Sequence, residues 1–259
     1  MSSSSEEKKF DLIDRGEKGT SYAGLATFVG LRLADPFLQY NILKNDWGSS
    51  IVNRLGGSTL PRGPAWITNT PLDRLGLSPY RSIILGMAVG SMLKQNFHMT
   101  TIMQEEFGVG PAIGVGVFNA FFNSMNSILF VCSQTSASVN GEHFPQTPLI
   151  VGASMYTVGL FVEWFSEVQR AAFKRDPANK GKVYTGGLFG LSRHVNYFGY
   201  TMWRSGFALA AGGWLWGSAV AAFFTYDFTT RAIPILHEYL EGRVSLIKTL
   251  HYLNCTRLT

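Results

Sequence analysis

Cysteine is nearly missing from this chain: only Cys132 and Cys255 occur, one inside an apolar run and one near the carboxyl end. A disulfide framework is thereby excluded, and no redox compartment follows from the pair. The first 19 residues, MSSSSEEKKFDLIDRGEKG, lack an apolar stretch, which excludes a cleaved signal peptide and fits a disordered polar leader. Charge is also missing over long distances. No Asp, Glu, Lys or Arg lies between Glu106 and Glu142, from His143 to Val162, or from Ser205 to Tyr226. The apolar share of 46% is ordinary, so the distribution marks this chain and the average does not. A helix needs about 20 apolar residues to cross a hydrocarbon core, and each run supplies that length. One such run could be the core of a soluble helical protein; three argue for a membrane.

What charge there is sums to +5, from 22 basic and 17 acidic residues, and is not laid out as a basic patch interleaved with aromatics. A nucleic-acid partner is therefore not expected, and basic loops at a membrane face are. Breakers and apolar runs predict an all-α polytopic bundle of about five to seven transmembrane helices. It divides into a leader (1–19), amino-terminal membrane helices (20–146) and a carboxyl-terminal membrane half with a basic loop and tail (147–259).

From Thr20 to Leu43 the chain is apolar but holds Arg32 and Asp35 three apart, a spacing that lets them pair on one helical face. Lys44 to Arg81 carries Gly56-Gly57, Pro61, Gly63-Pro64 and Pro71, so it is a loop with short helical pieces. Ser82 to Met99 is the next span. Lys94 and His98 sit in its last turns, four apart and on one face: they either snorkel to the interface or face a cavity, where they suit a phosphate or proton transfer. Gly108, Gly110, Gly114 and Gly116 follow no strand and are not a dinucleotide loop; small residues at these spacings let helices approach closely.

Thr147 to Phe173 is a helix carrying Glu163 and Glu167 one turn apart. Two carboxylates at membrane depth need cations or donors to meet them, and Arg204 is an available partner. The basic loop from Lys174 to Arg193 belongs in the cytosol; the Lys44 to Arg81 loop, with four arginines, asks for the same side, and the two demands conflict with alternating helices. Gly212-Gly213 divides Asn196 to Phe228 into a hairpin with both ends at the cytosolic face. Beyond it, HEYLEGRVSLIKTLHYLNCTRLT is a basic amphipathic tail suited to the membrane surface or to a lid.

The segment EWFSEVQRAAFKRDPANKGKVYTGGLFGLSRHVNYFG, from Glu163 to Gly199, resembles the carboxyl-terminal half of the membrane family that includes steroid 5α-reductases and sterol C14 reductases, with isoprenylcysteine carboxyl methyltransferases as distant kin. The elements shared are the glutamate pair, the DPAN loop, the GLF turn and Arg193-His194-x-Asn196-Tyr197-x-Gly199, and Arg231 followed by Tyr239 extends the likeness. The resemblance implies an enzyme of the endoplasmic reticulum membrane whose last helices wrap NADPH and reduce an activated carbon–carbon double bond of a sterol, enone lipid or terpenoid. Its partners would be that lipophilic substrate and the surrounding lipids; no metal is expected.

Carried over, Glu163, Glu167, Lys174, Arg193, His194, Asn196, Tyr197, Arg231 and Tyr239 would hold the cofactor, with Glu163, Glu167, Arg193, Asn196 and Arg231 converging on one cavity. Of the residues outside the shared pattern, Tyr200, one turn past Asn196 with Arg204 a turn beyond, would look into that cavity as a proton donor, and His98 would serve proton transfer. Guanidinium and ammonium groups suit phosphates, and Asn and carboxylates suit amides and hydroxyls. Three positions depart from the family: Val195 replaces a proline, Tyr200 an acidic residue beside the nicotinamide, and Arg204 an apolar residue. Two other classes therefore stand beside the reductase, a membrane methyltransferase using S-adenosylmethionine and a noncatalytic member of the fold.

Overall fold

Each long apolar run forms a helix whose ends are marked by residues that cannot continue it. The structure, a computed structural model, describes residues 19–242. Helix α1 (Tyr22–Asn45) opens on Ser21, whose hydroxyl accepts from the Gly24 amide at 3.2 Å, and stops at Asp46 in the left-handed conformation. A short helix α2 (Ser49–Arg54) and a 3₁₀ turn (Pro71–Leu75) interrupt the loop that follows. Then come α3 (Pro79–Phe97), running into a π turn (His98–Ile102), α4 (Val109–Val131), α5 (Thr147–Arg175) and α6 (Val195–Asp227). Pro79 and Pro148 stand in the first turns of α3 and α5, where a missing amide costs nothing. No strand occurs among the described residues; a lone bridge joins Thr59 to Cys132.

Helix α6 is two limbs. Gly213 has φ 75° and ψ −170°, a backbone open only to glycine, and the chain reverses there. Tyr200 lies 5.2 Å from Phe224 and Tyr197 stacks on Phe228 at 4.6 Å, so limb 195–212 pairs antiparallel with limb 214–227. The hairpin expected from Gly212-Gly213 is present.

Helices α5 and α6 run antiparallel with their backbones touching. A Cβ added at Gly206 would lie 2.5 Å from the Tyr156 amide nitrogen, and one at Gly199 would lie 2.6 Å from the Glu163 nitrogen. Gly152 and Gly159 on α5 answer them at the same seven-residue spacing. Without a hydrophobic drive between helices in lipid, such close approach supplies the attraction. The glycines of α4 do less than their spacing predicted: Gly116 meets Leu31 of α1, but Gly110 and Gly114 face open space.

Six limbs thus run between two ends. At one, loops 46–78 and 132–146 meet the hairpin tip: Leu60 donates to Val131 O at 2.8 Å and the Tyr80 hydroxyl to Ala210 O at 2.8 Å. At the other lie the start of α1, residues 98–108, the Lys174 to Arg193 loop and residues 228–242; Arg175 donates to Thr101 O there at 2.9 Å. The two basic loops are at opposite ends, and the helices alternate. The conflict read from charge eases because three of the five cations of 44–81 are staples, while Arg54 and Arg74 are exposed. Lys44 binds Gly76 O, buried Arg81 binds the carbonyls of Leu43, Leu60 and Pro61, and Arg62 pairs with Asp46 at 2.5 Å. Helices α4, α5 and the α6 hairpin are long and apolar enough to cross a membrane. The polar leader before residue 19 and most of the basic tail lie outside the described residues.

Filling the contact between α5 and α6 should separate the helices. Gly206→Leu is expected to destabilise the detergent-solubilised protein by about 1–3 kcal/mol or more through overpacking, seen as a lowered melting temperature. Gly114→Ala, which meets nothing, should leave that temperature within error.

Candidate functional site

The register set by the glycine contacts places each carboxylate of α5 opposite a chosen residue of α6. With Gly199 against the Glu163 nitrogen, the Glu163 side chain reaches the Trp203 indole, whose Nε1 donates to Oε2 at 2.6 Å. Its other oxygen takes Lys94 Nζ from α3. One turn on, Glu167 accepts from Asn196 Nδ2 at 2.9 Å and from Arg170. Both glutamates are buried, as is Lys94. The carboxylates are met, but not by Arg204. Trp203 and Asn196, seven apart, occupy the α6 face turned to α5; Arg204 occupies the next face and turns to α4, where Nη2 binds Asn119 Oδ1.

Lys94 neither snorkels nor lines an open cavity; it is a buried half of an ion pair. His98 follows it one turn on, as the spacing predicted. Its Nδ1 is buried with no hydrogen-bond partner. Tyr200, expected to face a cavity, is enclosed instead: Trp203 and Phe224 lie 5.2 Å away and Phe228 5.6 Å, and its hydroxyl accepts from Arg204 Nε at 3.1 Å.

A second group forms where α6 begins. Arg193 and His194 line a cavity of about 300 Å³ whose far wall is Ile233, Pro234, Leu236, His237 and Leu240. The His194 ring stacks on Tyr197 (5.6 Å, 4°), and Tyr197 on Phe228. Partial burial, and then the neighbouring Arg193, hold the His194 imidazole below its ordinary value, so it is neutral at pH 7. The single cavity expected to gather Glu163, Glu167, Arg193, Asn196 and Arg231 is therefore divided. Glu163, Glu167 and Asn196 meet inside the helix packing, because they stand on facing turns. Arg193 precedes the first turn of α6 and belongs to the outer cavity. Arg231 pairs with Asp227 at 2.7 Å on an exposed surface, Lys174 is exposed at the end of α5, and Tyr239 is half-buried on the segment that walls the cavity.

A deeper layer was only partly legible. Arg32 and Asp35 pair at 2.7 Å, as their spacing predicted, wholly buried. Asp35 also accepts from Asn123 at 2.6 Å and from Gln39 at 2.7 Å. Gln95 donates to Asn119 Oδ1 at 2.7 Å. The recurrence of Asn119, Asn123 and Asn126 along one face of an otherwise apolar helix was the available signal.

The fold and this arrangement define a polytopic helical membrane protein with a polar interior and, at one end, a cavity walled by Arg193, two histidines and aliphatic side chains. Residues 114–239 match the family described as "Protein of unknown function (DUF1295)". The chain is 42% identical over 242 residues to "Probable O-methyltransferase ustE" of Ustilaginoidea virens, covering 92% of this chain and 85% of that protein, and belongs to one family with it. No solved structure matches the chain.

The Lys94–Glu163 pair should show the asymmetry of buried charge. Lys94→Met alone strands a carboxylate and is expected to cost about 3–5 kcal/mol, whereas Lys94→Met with Glu163→Gln should recover most of the loss. Melting temperatures of the four proteins of this cycle give the comparison.

Proposed function

We propose that this chain is a membrane-embedded O-methyltransferase that uses S-adenosylmethionine to methylate a hydroxyl of a lipophilic small molecule, acting in the endoplasmic reticulum membrane. The observation that carries this reading is 42% identity, along nearly the whole chain, to a protein named a probable O-methyltransferase. This reading is preferred to the reductase reading, because the named relative is a methyltransferase and neither comparison names a reductase. The Tyr200 departure then loses its weight. Hydride transfer to a double bond needs a proton donor beside the acceptor carbon, and methyl transfer to oxygen needs none.

The outer cavity fits the cosubstrate by the chemistry of its walls. A guanidinium at Arg193 suits a carboxylate, Ile233, Leu236 and Leu240 offer an apolar face to a flat base, and the stack of Tyr197 and Phe228 behind His194 holds that imidazole at the wall. Bound there, S-adenosylmethionine supplies a methyl carbon on a positively charged sulfur. The chain's part is to place the acceptor oxygen and remove its proton. His194 suits the second task, since a neutral imidazole at this edge can accept the proton as the carbon–oxygen bond forms. Lys94, Glu163 and Trp203 lock α3, α5 and α6 together beneath it and hold the cavity's inner wall.

The test is a melting curve of the purified protein with each cosubstrate. S-adenosylmethionine should raise the melting temperature and NADPH should not; the reverse result would return the chain to the reductases. Under methyl-transfer turnover, His194→Asn is expected to lower kcat by ~100-fold with the thermal shift retained. Because the imidazole titrates below its ordinary 6.5, wild-type turnover should be flat near neutrality and fall only on acidification below that value.

A further inference from the structure

Arg204 is a buried cation with no anion against it among the described residues. It is 2% exposed, and no ion pair to it is present among the described residues. The other cations at this depth differ: Arg32 has Asp35, and Lys94 has Glu163. Arg204 is held instead by neutral acceptors, the Tyr200 hydroxyl through Nε and Asn119 Oδ1 through Nη2. Around it stand the rings of Trp203 at 4.3 Å, Tyr200 at 5.2 Å, Phe122 at 5.8 Å and Phe224 at 5.9 Å. Arg32 adds to the local positive charge, close enough to feel the repulsion of Arg204. A second signal comes from Gln95. Its amide shares Asn119 Oδ1 with Arg204, and its own Oε1 is buried without a partner.

A lone charge in a low-dielectric interior is tolerated only when something compensates it, and ring faces compensate a fraction. We propose that Arg204, with its aromatic walls, Asn119 and Gln95, is the binding site for an oxyanion, carboxylate or phenolate, carried on a flat apolar molecule. Binding exchanges two neutral acceptors of the guanidinium for a charged one, while the rings clasp the body of the ligand and Gln95 Oε1 accepts from a neighbouring hydroxyl. The wall that must part is Phe224, whose contacts with Tyr200 and Phe122 are apolar, while the Trp216–Asn126 hydrogen bond nearer the hairpin tip keeps that limb on α4. Arg204 stands nine residues into α6, about 14 Å from its start, too deep for the head group of a bilayer lipid. That this ligand is the methyl acceptor rests on the methyltransferase reading; the anion site itself does not.

The experiment uses the full chain in detergent without S-adenosylmethionine, titrated calorimetrically with 2-naphthoate and with its neutral counterpart 2-naphthamide. The naphthoate should bind at least tenfold more tightly, and Arg204→Gln should abolish that preference while Arg193→Gln keeps it. Equal affinities in the wild type would overturn the proposal, and so would a preference lost with Arg193→Gln and kept with Arg204→Gln. Displacement of naphthoate by phosphatidylglycerol but not phosphatidylcholine would also overturn it, assigning the anion site to lipid. Should Arg204→Gln fail to fold, the wild-type pair together with Arg193→Gln still decides. A protein that prefers naphthoate yet binds no S-adenosylmethionine would sustain the anion site and sink the methyltransferase.

Discussion

The backbone contact between α5 and α6 is the constraint on which the remaining geometry depends. Because Gly199 and Gly206 let the two helices touch, the register between them cannot slip without driving a side chain into a peptide group. That register sets Glu163 against Trp203 and Glu167 against Asn196. A separation wider by the thickness of one methyl group would stretch both hydrogen bonds beyond useful length and leave two carboxylates bare in the interior. Small residues here do the work that ion pairs alone could not, since an ion pair fixes two groups and leaves the helices free to rock.

The interior is organised in layers of decreasing compensation. Nearest the outer cavity, Glu163 and Glu167 have cations and amide or indole donors. Beside Arg32, Asp35 is saturated by a guanidinium and two amides. Arg204 has, among the described residues, only rings and neutral oxygens. In a soluble protein such a gradient could be levelled by water. In a membrane bundle each layer must be closed by the chain or by what it binds, so the incompletely closed layer is the informative one.

Much of the fold could be read from residues that act locally. The charge-free runs marked α4, α5 and the hairpin; Gly212-Gly213 marked the reversal, because a positive φ is written in a single residue type; and Arg32 with Asp35 marked a pair, because one helical turn brings them together. What was illegible depends on distant partners. Lys94 meets a carboxylate 69 residues away, and Arg204 an amide 85 residues away. Neither spacing carries a period. The charge of loop 44–81 misled for the same reason, since a lysine or arginine looks alike in sequence whether it is free in water or bound to carbonyls. At the site, the grouping of Glu163, Glu167 and Asn196 was visible in their pairing, but the separation of Arg193 from them turns on where α6 starts, a boundary that Val195, in place of a proline, did not announce.

The hairpin of α6 also constrains how the protein is made. From Ser205 to Tyr226 the chain has no charged residue, and the reversal at Gly213 leaves no hydrophilic loop to be carried across the bilayer. Its tip, with Trp214 and Leu215 exposed, favours lipid over water. Neither limb offers a polar stop at the far side, so the two limbs must enter the bilayer together as one folded unit, sliding in from the side on which both their ends remain. Assembly of the polar interior is then a late event: Arg204 enters already walled by Phe224 of its own hairpin and meets Asn119 only when that unit docks against α4.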